Sequence, residues 1–223
     1  LQFTAMYVLV SLVLVNLVAF GLALLVTAGL RSANIFRTFF FIPNLIGGVI
    51  LGFIWQFIFN RTLTTIGKNF EIPLLETSWL NAPGSAFWAL VLVTVWQMSG
   101  YMMIIYITGL MSIETDVLEA AVIDGASALR TLWSIRLPLM AQAFTISIFL
   151  TLRNSFMAYD VNVGLTGDGP KRSTELISMH SFNEAFMFGY LGTGQAKAVF
   201  MFLIIAVVTL VQVAVSKRFE VQR

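Results

Sequence analysis

No Asp, Glu, Lys or Arg occurs between Leu1 and Leu30; Arg31 is the first charged residue of the chain. About 20 apolar residues are enough for a helix to cross the hydrocarbon core of a bilayer. In lipid such a stretch is helical, because each backbone N–H then finds its carbonyl within the segment. The pattern recurs along the chain. The first run, Phe3–Leu30, is followed by Thr38–Phe59, closed by Arg61, and by Ala86–Met111 inside the uncharged stretch Thr77–Ile113. Next come Leu139–Tyr159, with Arg153 in its last third, and Ala198–Ser216, ended by Lys217 and Arg218. These five predicted spans describe an all-α polytopic membrane protein, read as a single transmembrane domain over residues 1–223.

Composition supports that reading and removes others. Charged residues are 11% of the chain, against about 25% in a soluble domain. A soluble enzyme and disordered or fibrous classes are thereby excluded. There is no cysteine, hence no disulfide framework and no thiolate metal site. His180 is the sole histidine, which gives neither a metal site nor a proton relay much to build on. A pI near 9.1 does not point to nucleic acid when most of the chain is expected in lipid. The chain opens at Leu1 inside an apolar run, with no initiator Met and no basic flank. The expectation is therefore that a span precedes it, and that the run is not a secretory signal peptide.

The connections differ in character. Arg31–Arg37 is a tight basic turn, and Asn60–Ser85 carries Pro73, Pro83 and Trp79-Leu80-Asn81, as an ordered loop would. Asp160–Lys197 holds Gly164, Gly167, Gly169 and Pro170 and then predicts a short helix near Ser173–Ala185. Five spans place the termini on opposite sides. Basic residues divide almost evenly between the sides, and the basic turn and Lys217–Arg218 tail mildly favour their own side as cytoplasmic.

The most informative segment is Glu119-Ala120-Ala121-Val122-Ile123-Asp124-Gly125-Ala126, followed by Ile135-Arg136-Leu137-Pro138. It interrupts the apolar pattern between the third and fourth spans. Val117, Leu118, Ala121 and Val122 recur at helical spacing, so the first half predicts a helix along the membrane surface. Gly125 breaks it, a second helical stretch follows, and Pro138 suits the first turn of the next span. Small residues at Ala120, Ala121, Gly125 and Ala126 would let another protein approach the backbone closely.

This segment resembles the E-A-A loop of permease subunits of bacterial binding-protein-dependent ABC importers, whose pattern continues with D-G-A and I-x-L-P. Leu132 stands where that family prefers Phe, and Gln142 where Pro is common; neither change touches the turn. Phe39-Phe40-Phe41-Ile42-Pro43, Trp55-Gln56-Phe57-Ile58-Phe59-Asn60, Trp79-Leu80 and Leu165-Thr166-Gly167-Asp168-Gly169-Pro170 are similar to the subfamily for sugars and glycerol phosphate, which usually has Gly at the Asp168 position. The resemblance implies that the five spans are the last five of six. It implies that 112–138 is a cytoplasmic coupling loop in which Glu119, Ala120, Ala121, Asp124, Gly125 and Ala126 meet a separate ATPase subunit. It implies further partners: a second, similar permease, an extracytoplasmic solute-binding protein and membrane lipid, but no nucleic acid. It implies no cofactor on this chain, ATP being used by the ATPase subunits. It implies a multi-pass protein of the bacterial inner membrane with no catalytic and no metal site.

For the substrate path, the best internal candidates are Asn154, Ser155, Tyr159 and Asp160, beside Arg153. Ionisable groups within spans usually face a cavity or a partner. On one continuous helix Ser155 and Tyr159 would share a face. Asn16, Asn44, Gln97 and Ser99 either line the path or bond neighbouring helices. Trp55, Trp96, Tyr101 and Tyr106 either stack on sugar or form an interfacial belt. The Leu165–Pro170 loop is expected to shape the outer mouth. A permease for amino acids, phosphate or metal complexes remains an alternative. So does an ion-coupled transporter, though the first three spans hold no acid, and an enzyme would need a catalytic cluster that the chain lacks.

Overall fold

A computed structural model describes residues 1–28 and 33–218, the Lys171 side chain excepted. Arg31 and Arg223, which bear on the sidedness of the basic turn and tail, lie outside the described residues. Among those described there is helix and no strand. Among the described residues, four helices are long and apolar enough to cross a membrane, and five if one bent pair counts as a span.

Helix α1 (Gln2–Thr27) buries Thr4, Tyr7, Ser11, Val15, Ala19, Ala23 and Val26 at steps of three or four, while Leu9, Val13 and Leu17 face outward. The buried stripe is mostly small. Between helices in lipid there is no hydrophobic driving force, so close packing of small residues and shared hydrogen bonds hold them together. The stripe lies along α4 (Pro83–Met111), whose buried residues run from Ala86 to Leu110. The two run parallel: Tyr7 pairs with Thr94 at 2.8 Å and Asn16 with Tyr106 at 2.6 Å. Pro83 occupies the first turn of α4, where its missing N–H costs nothing.

The expected second span, Thr38–Phe59, is two helices. Helix α2 (Ala33–Leu45) contains Pro43, and α3 starts at Gly48 and runs to Asn69. The break at Ile46–Gly47 frees a carbonyl, and Gln97 Nε2 of α4 donates to the Ile46 oxygen at 3.4 Å. Non-helical backbone is tolerated at membrane depth only when such partners exist. The helix continuing to Asn69 also shortens the expected Asn60–Ser85 loop. Its remainder is ordered, with Trp79 Nε1 donating to Leu74 O at 2.9 Å and Ser85 Oγ to Trp79 O at 2.6 Å.

Beyond α4, helices α5 (Thr115–Ile123) and α6 (Ala128–Leu139) form the predicted interruption. The fourth span differs from expectation. Helix α7 is Ala141–Phe156, bent 69° from α6 at Met140. Its 16 residues reach about 24 Å at 1.5 Å per residue, short of the hydrocarbon core. The chain then leaves the helix at Met157–Tyr159 and enters α8 (Asp160–Leu165). Helix α8 packs on α3 through glycine: a Cβ at Gly52 would lie 2.7 Å from Gly164 Cα. The short helix α9 (Ile177–Phe182) is followed by a wide turn, Asn183–Met187, and by the last span, α10 (Leu191–Ser216).

Asn16 ties three spans together. Its Oδ1 accepts from Tyr106 of α4 at 2.6 Å and from Ser147 of α7 at 2.7 Å, while its Nδ2 donates to Leu12 O at 2.7 Å. Asn16 and Tyr106 are therefore packing groups. Asn16→Leu leaves two hydroxyls without an acceptor, and such bonds contribute about 0.6 kcal/mol each. The expected result is a melting temperature lower by a few degrees in detergent, and an unchanged melting curve would dismiss the hub.

On the α8–α9 side, charged groups are paired. Arg172 meets Glu175 at 2.6 Å and Asp168 at 4.0 Å, Lys197 of α10 meets Glu184 at 2.9 Å, and His180 Nδ1 lies 3.2 Å from Glu175. Arg172 holds this position with φ of 60°. Burial alone would raise the Glu175 carboxyl, but hydrogen bonds from Arg172 and His180 and their charge overcome it and hold it below the usual carboxylate range. A carboxylate depressed in the folded state contributes stability that is complete above its unfolded pKa and lost as pH falls through the folded one. The protection factors of the 166–176 amides, with the intrinsic pH dependence of exchange divided out, are therefore expected to stay constant from pH 8 to 5 and to fall only below about pH 4. Loss of protection already at pH 6 would contradict the role of Glu175.

Candidate functional site

Two breaks in the spans meet at one cavity of about 240 Å³. Asn44 and Gly48 reach it from the α2–α3 break, and Asn154, Tyr159 and Asp160 from the end of α7 and the start of α8. Tyr7 of α1 and Thr94 and Gln97 of α4 complete its polar wall. The geometry follows from the fold. Glycine at Gly48 and Gly52 lets α8 lie against α3, and a Cβ at Gly48 would sit 2.6 Å from Asp160 Cβ.

The hydrogen bonds show which groups remain free. Thr94 Oγ1 donates to Leu90 O at 2.9 Å, so at 2.8 Å it accepts from Tyr7. Asn162 also lines the cavity, but its amide is spent on Thr174 O at 2.7 Å and on Thr166 at 2.6 Å. Gln97 uses Nε2 on Ile46, and Asn154 uses Oδ1 on Arg153 Nη1 at 3.3 Å; the other end of each amide is free. Among the described residues, Asn44, Tyr159 and Asp160 form no side-chain hydrogen bond or ion pair. Amide, phenol and carboxylate groups without partners suit a ligand rich in hydroxyls, which both donates and accepts.

Of the four expected path residues, three line this cavity and Ser155 does not. Ser155 is fully buried and its Oγ has no partner. The expected shared face of Ser155 and Tyr159 fails because α7 ends at Phe156, two residues after Asn154. Tyr159 lies beyond the helix, with its ring 4.9 Å from that of Phe182. Sequence reasoning did not single out Tyr7, Gly48 or Thr94 for the path. The available signal was Pro43 with Gly47-Gly48, which marks a break that must be lined by polar groups.

The aromatic candidates lie elsewhere. Trp55 and Trp96 meet edge to face at 5.4 Å and, with Ser99, line a separate apolar cavity of about 560 Å³. Its near absence of polar groups reads as packing.

The interruption between α4 and α7 is a second site, built around Gly125. Helix α5 ends in a left-handed residue, Gly125 at φ 72°. Its N–H bonds Val122 O at 3.0 Å, and Ala126 N–H bonds Ala121 O at 2.9 Å. This closure satisfies the last carbonyls of a helix and favours glycine. A Cβ here would meet nothing within 4 Å, so the backbone angle, not space, demands Gly. Ser127 starts α6 by accepting from Arg130 N at 3.3 Å. Glu119, Ala120, Asp124 and Gly125 are exposed and Ala126 is half-buried. Ala121 is buried at 5%, which corrects the expectation that it offers surface to a partner. Val122 and Ile123 are 73% and 85% exposed, and Leu129 and Trp133 lie bare on α6. Together they form an apolar patch around the turn.

The comparisons with known proteins agree with this geometry. Over 220 residues the chain is 46% identical to the "Probable starch degradation products transport system permease protein" of Thermoanaerobacterium thermosulfurigenes, covering 99% of this chain and 75% of the relative. It is 34% identical to the multiple sugar-binding transport system permease protein of Streptococcus mutans, over 87% of this chain and 67% of that one. Its fold matches a solved chain of a bacterial ABC transporter that imports the acidic polysaccharide alginate, with a TM-score of 0.87, 18% identity, and coverage of 97% of this chain and 77% of the other. Residues 16–221 match the family of binding-protein-dependent transport system inner membrane components, and the chain belongs to that family.

Proposed function

We propose that this chain is the membrane-spanning subunit of an ATP-driven importer that passes a carbohydrate or related polyol across the bacterial inner membrane. The observation that carries the reading is the exposed helix–glycine turn–helix at Thr115–Leu139 with its apolar patch, in a chain 46% identical to a starch-product permease. In this reading the turn is cytoplasmic and Val122, Ile123, Leu129 and Trp133 dock on an ATPase subunit, flanked by Glu119, Ala120, Asp124, Gly125 and Ala126. ATP is bound and hydrolysed there, and this chain performs no covalent chemistry. A second, similar permease completes the pathway, and an extracytoplasmic binding protein delivers the solute on the α8–α9 side. Supporting this sidedness, α5 and α6 follow the C-terminal end of α4 at Met111, whereas Thr94 and Gln97 line the cavity from its middle.

The mechanism follows from the same elements. Closure of the ATPase dimer displaces the α5–α6 unit as a rigid body, a ligand-biased switch between two states. Asn154, Tyr159 and Asp160 hydrogen-bond the solute in one of them.

Gly125→Pro tests the coupling turn. Proline can neither adopt φ of 72° nor supply the N–H to Val122. The expected outcome is membrane insertion at the normal level with uptake abolished and weakened co-purification of the ATPase. Gly125→Asn, which tolerates the left-handed region better, should keep partial uptake. Normal uptake in the proline variant would end the coupling assignment.

The cavity has its own test. Tyr159→Phe and Asn154→Ala each remove one neutral hydrogen bond, about 1 kcal/mol or fivefold in affinity. Both should lower uptake at limiting substrate while basal ATPase activity and assembly persist. Ser155→Ala should leave uptake unchanged. Reduced uptake in Ser155→Ala alone would place the path on the other side of α7.

A further inference from the structure

The walls of the cavity are unequal in charge. Among the described residues lining it there is one ionisable carboxylate, Asp160, and no Lys, Arg or His. Resting on the importer reading above, we propose that Asp160 is a specificity-determining residue that makes this cavity select neutral saccharides and reject those carrying a carboxylate or phosphate.

Among the described side chains, the cations nearest in sequence each have a partner and none lines the cavity. Arg153 is exposed, donates to the amide oxygen of the lining residue Asn154 at 3.3 Å, and does not itself line the cavity. Arg172 is bound to Glu175 at 2.6 Å and Lys197 to Glu184 at 2.9 Å. Asp160 forms no ion pair. It is also held in place: α8 lies so close to α3 that a Cβ at Gly48 would lie 2.6 Å from Asp160 Cβ and 3.2 Å from Val161 N.

The chemistry then distinguishes ligands. A carboxylate only accepts, so it pairs with sugar hydroxyls, while the free amide ends of Asn44, Gln97 and Asn154 and the Tyr159 hydroxyl supply both donors and acceptors. Hydrogen bonds from hydroxyls to an ionised carboxylate are among the stronger neutral-ligand contacts. An anionic sugar offers acceptors where Asp160 needs donors. It also brings a like charge up to Asp160, whose side chain is exposed to the cavity side of α8. Sites for carboxylate or phosphate ordinarily supply an Arg or Lys, and this cavity has none among its described lining residues.

The experiment uses the assembled importer, both permeases and the ATPase subunits, in lipid nanodiscs without the binding protein, so that the permease alone sets selectivity. Binding of maltotriose is compared with binding of a uronate trisaccharide. The wild type is expected to prefer maltotriose by at least about tenfold, the size of one like-charge contact. Asp160→Asn should narrow the preference to within about threefold, chiefly by admitting the uronate, with assembly unchanged. Arg153→Gln should leave the ratio as in the wild type. An unchanged ratio in Asp160→Asn, equal binding of both sugars by the wild type, or a shift in Arg153→Gln alone would each overturn the assignment. Uptake of maltotriose by cells carrying the complete system is measured alongside. Uptake with an altered assignment removes only the role of Asp160, whereas wild-type cells that import no saccharide refute the carbohydrate reading itself.

Discussion

In hydrocarbon, a backbone N–H or C=O without a partner costs several kcal/mol, and that cost decides where this chain can stop being helical. Besides the bend at Met140, the expected spans are interrupted at Ile46–Gly47 and after Phe156. They are not scattered. Both open onto the same cavity, and the polar side chains that line it include the one that repairs a break, Gln97 on the Ile46 carbonyl. Architecture and site thus share a cause. A broken span needs polar neighbours, and polar neighbours gathered in one place make the polar cavity proposed above as the solute site.

The parts of this arrangement legible in the sequence are those whose cause is local. Charge-free runs gave α1, α4 and α10, because crossing length depends on composition alone. The turn at Gly125 was legible because a left-handed helix end is a one-residue requirement. The fourth span was misjudged at its far end for the opposite reason. Met157-Ala158-Tyr159 contains no breaker, and what ends α7 is the docking of α8 into the glycine seam of α3, more than a hundred residues away in the chain. The same distance hid the meeting of Asn44 with Asp160. Ala121 shows a smaller version of the problem: small side chains suit a partner's surface and a crowded interior equally, and only the fold shows it buried.

The candidate site was half visible. Asn154, Tyr159 and Asp160 stood out as costly groups near a span end, and Asn44 and Gln97 as polar residues inside spans. Nothing in their spacing says that they face one another. Asn16 carried the same signal as Asn44 and has a different role, since its amide oxygen is filled by Tyr106 and Ser147. Free hydrogen-bonding capacity, not polarity, separates the two, and that capacity exists only in three dimensions.

The same accounting connects the two sites. Helix α7 begins at the bend beside α6 and ends in the cavity with Asn154, and its middle is fixed to α1 through Ser147 and Asn16. A Cβ at Gly109 would lie 2.7 Å from Ala143 Cβ, so the lower part of α7 is also close against α4. In the proposed importer, force applied to the α5–α6 unit therefore enters a short rod held near its centre and emerges at Asn154 and the non-helical link to α8. At the Met157–Tyr159 link, Met157 N still bonds Arg153 O at 3.0 Å while Tyr159 O already accepts from Val163 N of α8 at 2.9 Å, so the change of direction is confined to these three residues. A continuous fourth helix would have transmitted the displacement past the cavity into the loop. Its early end puts the non-helical link at the residues proposed to hold the solute.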